Sequence, residues 1–110
     1  MPDAVPNVET FRTQALAAAD SYAELLRVPA MSAGVYVLPP GSVDRQTPHR
    51  EDEVYYVVRG RARFLRGKEE VTVAAGDVLF VAAQEPHRFH SIEEELVLLV
   101  VFAPAEQTTA

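Results

Sequence analysis

The sequence predicts an all-β domain, a sandwich or barrel of short strands preceded by one short helix. Three observations carry that prediction. Apolar residues recur at helical spacing only near the start, at Phe11, Ala15, Ala18, Tyr22 and Leu25. From Met31 onward, runs rich in Val, Tyr and Phe alternate with turn signals. The run Leu96–Ala103 is apolar throughout, as expected of a strand covered on both faces.

Each element follows from its local chemistry. Asn7 is placed to cap a helix, and Glu9 in the first turn suits the helix dipole. The helix is expected over about residues 8–19, with Asp20-Ser21 as an interruption and Pro29 as an absolute stop; residues 20–28 are left open. "MSAGVYVL" reads as a strand closed by the turn Pro39-Pro40-Gly41. "DEVYYVVRG" reads as a strand ending at Gly60. Next come a strand from Arg61, a turn near Gly67-Lys68, a short strand, and a turn at Gly76-Asp77. "VLFV" and "HRFHSI" are strands separated by a break near Glu85-Pro86, and "ELVLLVVFA" is the last. The expected organisation is an N-terminal helix and extension over 1–30, a barrel over 31–103 and a flexible tail over 104–110.

Composition narrows the function. A chain of 110 residues with 48% hydrophobic residues makes one domain with its own core. Cysteine is absent, which removes disulfides, thiolate metal sites and cysteine nucleophiles. A formal charge of −6 disfavours nucleic acid, although half of the ten basic residues fall between Arg59 and Lys68. The longest apolar run falls far short of the ~20 residues of a membrane helix, and no signal peptide pattern opens the chain. The expectation is a soluble, cytoplasmic protein that binds neither nucleic acid nor membrane.

The chemistry concentrates in "TPHREDEVYYVVRG", residues 47–60. His49 and Glu53 are four apart, so an extended chain points both to one face, which Tyr55 and Val57 continue. If that face is the interior, Glu53 needs a partner, because an unpaired buried carboxylate costs several kcal/mol. A cation shared with imidazoles is one solution, and His87, at the start of a strand, is the third member. The bland alternative pairs Glu53 with an arginine such as Arg88 and His49 with a backbone carbonyl. Glu51 and Asp52 read as solvated acids, and His90, of opposite parity to His87, as an outer-face residue. Arg61 and Arg63 share one face; it is read as solvated, with a carboxylate grip as the alternative. Asp44 reads as a turn cap or an acceptor for Arg88.

These residues resemble the two motifs of the cupin superfamily. The first motif runs Gly, five residues, His-x-His, three or four residues, Glu, six residues, Gly. Here Gly41, His49, Glu53 and Gly60 hold their places, and Thr47 stands for the first histidine. In the second motif Gly76 and His87 hold theirs, while Ala82, Gln84 and Ser91 depart from it. The resemblance spans about residues 31–103 and is narrowest to small single-domain bacterial cupins. It implies a jelly-roll, conical β-barrel, a double-stranded β-helix, with a divalent metal held inside. Carried over residue by residue, the ligands are His49, Glu53 and His87. Gln46 is a further candidate if the chain bulges at Pro48.

Two histidines and a carboxylate are the facial set of non-haem Fe(II) oxygenases, though Mn, Ni, Co or Zn suit the same donors. Tyr36, Thr47, Tyr55, Val57, Phe64, Phe80 and Phe89 are the candidate lining, with Tyr55 the candidate catalytic proton donor or orienting group. The leading functional expectation is a metal-dependent enzyme of oxygenase type acting on a small organic molecule. An isomerase or cyclase, and a non-catalytic small-ligand-binding barrel, are the alternatives. A homodimer is expected on any of these, because small barrels leave apolar strands to pair.

Overall fold

The computed structural model describes residues 5–44 and 48–107. It contains α1 (Val8–Ala17) followed by β1 (Tyr22–Val28), β2 (Met31–Leu38), β3 (Asp52–Arg66), β4 (Glu69–Ala74), β5 (Val78–Val81) and β6 (His87–Ala103). All pairings are antiparallel, in the order β1-β2-β6-β3-β4 with β5 added to β3. Among the described residues no helix is long and apolar enough to cross a membrane.

The helix starts as its sequence requires, with the Asn7 side chain accepting from Glu9 N–H at 2.9 Å. It stops at Ala17, well before Pro29, because Ser21 takes a left-handed conformation (φ 60°) and Asp20 accepts from Tyr22 N–H at 3.2 Å. The open stretch 20–28 therefore holds a strand, β1, paired along β2. Of the residues at helical spacing, Phe11, Ala15 and Leu25 do share one apolar cluster, but Tyr22 turns into the barrel instead.

Two apolar clusters explain why β2 and β6 read as apolar on both faces. Tyr36, Leu38, Leu96 and Leu98 point into the barrel with Tyr55, Phe64 and Phe89. Their neighbours Val35, Val37 and Val97 point the other way, under α1. Strand alternation alone produces this division.

The long strands decide the site. β3 does not end at Gly60 as expected; it runs on through it to Arg66. Gly60 sits at φ 105°, and a Cβ there would lie 2.3 Å from the Glu95 carbonyl oxygen, so only glycine fits. The β3–β6 register slips at this point, as at a β-bulge. The inward parity flips with it: Tyr55 and Val57 are buried before the bulge, Ala62 and Phe64 after it. β6 does the same at Ser91 (φ 52°), with Phe89 inward before it and Ile92 after it. A straight strand would hold Glu53 and Arg66 about 43 Å apart. In the folded sheet His87, the partner of Arg66, touches Glu53.

Three readings are corrected here. Phe80, expected in the lining, is 52% exposed, because β5 pairs Phe80 with outward-facing Val54 rather than with Glu53. Glu51, expected in solvent, is 4% exposed and accepts from Gln107 N–H at 3.1 Å. The tail is not loose from residue 104: Ala105 is buried and its N–H reaches the Pro29 carbonyl at 3.3 Å.

Candidate metal centre

His49, Glu53 and His87 each offer a donor atom, and the three atoms lie within 4.8 Å of one another. Glu53 sits on β3 between β5 and the end of β6, opposite Val81 and Phe102, so its backbone is held on both sides. His87 begins β6. His49 lies in the segment leading to β3, and its carbonyl accepts from Gln84 N–H at 2.6 Å. A further bond, Ala83 N–H to Asp52 Oδ1 at 2.8 Å, ties the same two loops. The loops that carry the two histidines therefore hold each other.

His87 has a defined orientation. Its Nδ1 lies 2.9 Å from the Glu85 carbonyl, which can only accept, so Nδ1 carries the proton. Nε2 then faces Glu53 Oε1 at 2.9 Å and the Tyr55 hydroxyl at 3.0 Å. Burial opposes protonation of His87, but Glu53 and the Glu85 carbonyl outweigh it and hold its pKa above the ordinary value. For His49, burial again opposes, and the carboxylates of Glu106 and Glu53 overcome it. Glu106 Oε2 lies 3.2 Å from His49 Nδ1.

The Glu53 side chain is 1% exposed, yet neither of its oxygens has an aligned hydrogen-bond donor among the described residues. Among the described residues Oε1 has the ion-pair contact to His87 alone, and Arg88, the arginine expected there, is exposed. A buried carboxylate oxygen without a donor costs about 1–3 kcal/mol or more. Two imidazoles and this carboxylate, converging from separate strands and loops, fit a divalent cation by donor type.

The surroundings are aromatic. Phe102 stacks edge-on to His49 at 5.0 Å, and Phe64 lies 6.2 Å from His87. Tyr55, Phe64 and Phe89 form a packed triplet with centroid separations of 4.6–6.1 Å. Tyr36, also inward, is engaged by Asp44, which accepts from its hydroxyl and from Phe89 N–H, each at 2.8 Å. Asp44 is thus an internal brace, and its expected partner Arg88 is not used. Val57 is fully buried in the same core. Arg61 is exposed, Arg63 bonds Thr72 and Glu70 on the outer face, and His90 contacts Glu70 there too. Gln46 and Thr47, expected as an extra ligand and a lining residue, lie outside the described residues.

Three residues near the centre escaped the sequence reading. Phe102 was readable from the parity of the last strand. Tyr22 was hidden by its coincidence with helical spacing; its ring lies across Gly34, where a Cβ would come within 2.2 Å of it. Its hydroxyl is buried with no hydrogen-bond partner among the described residues. Burial raises its pKa, with Glu106, Glu24 and Glu53 adding to the effect, so it stays a protonated donor. Glu106 had no local signal.

The fold agrees with the comparisons. Residues 34–102 match the cupin domain family model, and the chain belongs to that family. An uncharacterized protein of Streptomyces coelicolor is 49% identical over 86 residues, covering 78% of this chain and 82% of its own. An uncharacterized Klebsiella pneumoniae protein with a double-stranded β-helix domain superposes with TM-score 0.78 at 17% identity, over 94% of this chain and 91% of its own; it speaks for the fold alone. A Thermotoga maritima protein described as a predicted oxalate decarboxylase is 29% identical, with TM-score 0.66, over 76% of this chain and 78% of its own.

Proposed function

We propose that this cupin domain is a metal-dependent enzyme acting on a small organic molecule, with His49, Glu53 and His87 as the ligands. The observation that carries the reading is Glu53, a fully buried carboxylate that has no aligned donor among the described residues and faces two imidazoles. Three protein donors leave positions open on a divalent ion, which when bound supplies Lewis acidity or dioxygen chemistry. Iron is the favoured metal and an oxygenase the favoured class. The chain's own contributions are separable. The Glu85 carbonyl keeps Nδ1 of His87 protonated, which makes Nε2, beside Glu53 and Tyr55, the nitrogen that would hold the metal. Tyr55 places its hydroxyl 3.0 Å from that Nε2, within reach of a substrate oxygen bound there. Tyr22 offers a second hydroxyl with no competing acceptor among the described residues. The aromatic wall excludes water. A substrate that bears an oxygen and fits an aromatic enclosure is the class indicated. The Thermotoga maritima structure described as a predicted oxalate decarboxylase is consistent with a small oxyacid, and isomerase or cyclase chemistry uses the same donors.

The test is an oxygen-electrode screen of the iron-loaded protein against small oxyacids and hydroxy ketones. The expected result is oxygen uptake that His87→Ala abolishes. Turnover without oxygen would move the reading to an isomerase, a cyclase or a decarboxylase. Absence of turnover with retained ligand binding would favour a non-catalytic barrel.

The same reading includes a cytoplasmic homodimer. Val54, Tyr56, Val78 and Phe80 are 37–65% exposed and form two cross-strand pairs on the outer face of β3 and β5. Half-buried Leu99 and Val101 of β6 extend the face. A flat antiparallel face of this kind is suited to a twofold contact with a second copy. Light scattering after size exclusion should give a dimer, and Phe80→Glu a monomer.

A further inference from the structure

The two histidines are supported differently, and the difference assigns a role to the C-terminal segment. His87 is oriented by the carbonyl of Glu85 in its own loop. His49 has Glu106 at its Nδ1, 3.2 Å away, with side chains only 11% and 18% exposed. Glu106 is far away in sequence but firmly placed. Its N–H donates to Ser32 Oγ at 2.8 Å, and Arg27 Nη2 donates to its carbonyl at 2.6 Å. On either side, Ala105 N–H reaches the Pro29 carbonyl at 3.3 Å and Gln107 N–H reaches the buried Glu51 at 3.1 Å. Four bonds to β2, to β1 and the turn that follows it, and to the segment before β3 hold the carboxylate behind the imidazole.

Glu106 is not itself one of the converging donors; among the described residues the cluster within 4.8 Å consists of His49, Glu53 and His87. It contacts the ring at Nδ1, at ion-pair distance and without hydrogen-bond alignment. We infer that Glu106 is the positioning residue of His49, a carboxylate that accepts from Nδ1–H and thereby presents Nε2 to the metal. A carboxylate on the remote nitrogen fixes the tautomer and ring rotation and strengthens the metal-facing nitrogen as a donor. The segment after β6 is accordingly part of the metal centre. This inference rests on the metal reading above.

The test uses the full chain and zinc as the probe. Zinc affinity is measured by chelator competition for the native protein, Glu106→Gln, Glu106→Asp and His87→Ala. Gln at 106 keeps the backbone bonds to Ser32 and Arg27, so thermal unfolding of the metal-free protein should stay close to native. Its zinc affinity should fall by roughly 10–100-fold, and Asp should recover part of the loss. Nitrogen NMR of the zinc-loaded native protein should show His49 protonated at Nδ1 and metal-bound at Nε2. Native affinity in Glu106→Gln, or zinc on Nδ1 of His49, overturns the inference while leaving the metal site intact. A native chain that binds no zinc, no better than His87→Ala, overturns both.

Discussion

The two imidazoles of the centre differ in where their support comes from. His87 is fixed by its own loop, by Glu53 across the barrel and by Tyr55 beside it. His49 is fixed by a loop-to-loop bond and by a carboxylate from the other end of the chain. The His87 side is closed to water, with side-chain exposures of 0% and 1% for the pair, while the His49–Glu106 side keeps some contact with it. One histidine belongs to the barrel's core and the other to its rim.

The comparison breaks altogether if the sheet cannot fold over, so Gly60→Ala should have the largest effect. The added Cβ meets the Glu95 backbone and the residue must hold a positive φ. Urea unfolding should show a loss of about 3 kcal/mol or more, with both histidines displaced. Next, single truncations should separate the two sides. His87→Ala strands a buried carboxylate and should cost about 3–5 kcal/mol in the metal-free protein. His49→Ala leaves Glu106 partly solvated and should cost about 1–2 kcal/mol. Equal losses would mean that core and rim are not distinct. Tyr55→Phe, which removes one hydrogen bond from His87, should cost about 1 kcal/mol.

A pH series sharpens the contrast further. Both histidines have folded-state pKa values above the unfolded value of about 6.5. Their contribution is fully present below that value and is lost as pH rises through the folded values. The metal-free protein should therefore melt lower as pH rises from about 6.5. Metal needs both rings neutral at the donor nitrogen, so metal affinity should rise over the same range. His87→Ala and His49→Ala should each flatten part of the slope.

What the sequence made legible was local. Strand alternation placed His49, Glu53, Tyr55 and Val57 on one side, and motif spacing brought in His87. The bulge at Gly60 was the obstacle. Read as a strand end, it hid the continuity of β3 and the parity flip, so Phe64 was named as lining without the register that turns it inward. The same parity argument covered Glu51, but its proximity to a loop suggested solvent, and only the C-terminal segment folding over it buries it. Phe80 failed because a four-residue strand takes its facing from its partner's register, which no local pattern encodes. Tyr22 and Glu106 reach the centre through tertiary contacts, over Gly34 and through Ser32 and Arg27.

The central claim is that His49, Glu53 and His87 form one metal site. Its most direct test is elemental analysis of chelator-stripped protein reloaded anaerobically with Fe(II), Mn(II), Ni(II) or Zn(II), beside Glu53→Ala and His87→Ala. The account predicts near-stoichiometric uptake of at least one ion by the native chain, lost in both variants. No uptake of any ion, or uptake that survives both substitutions, would contradict it.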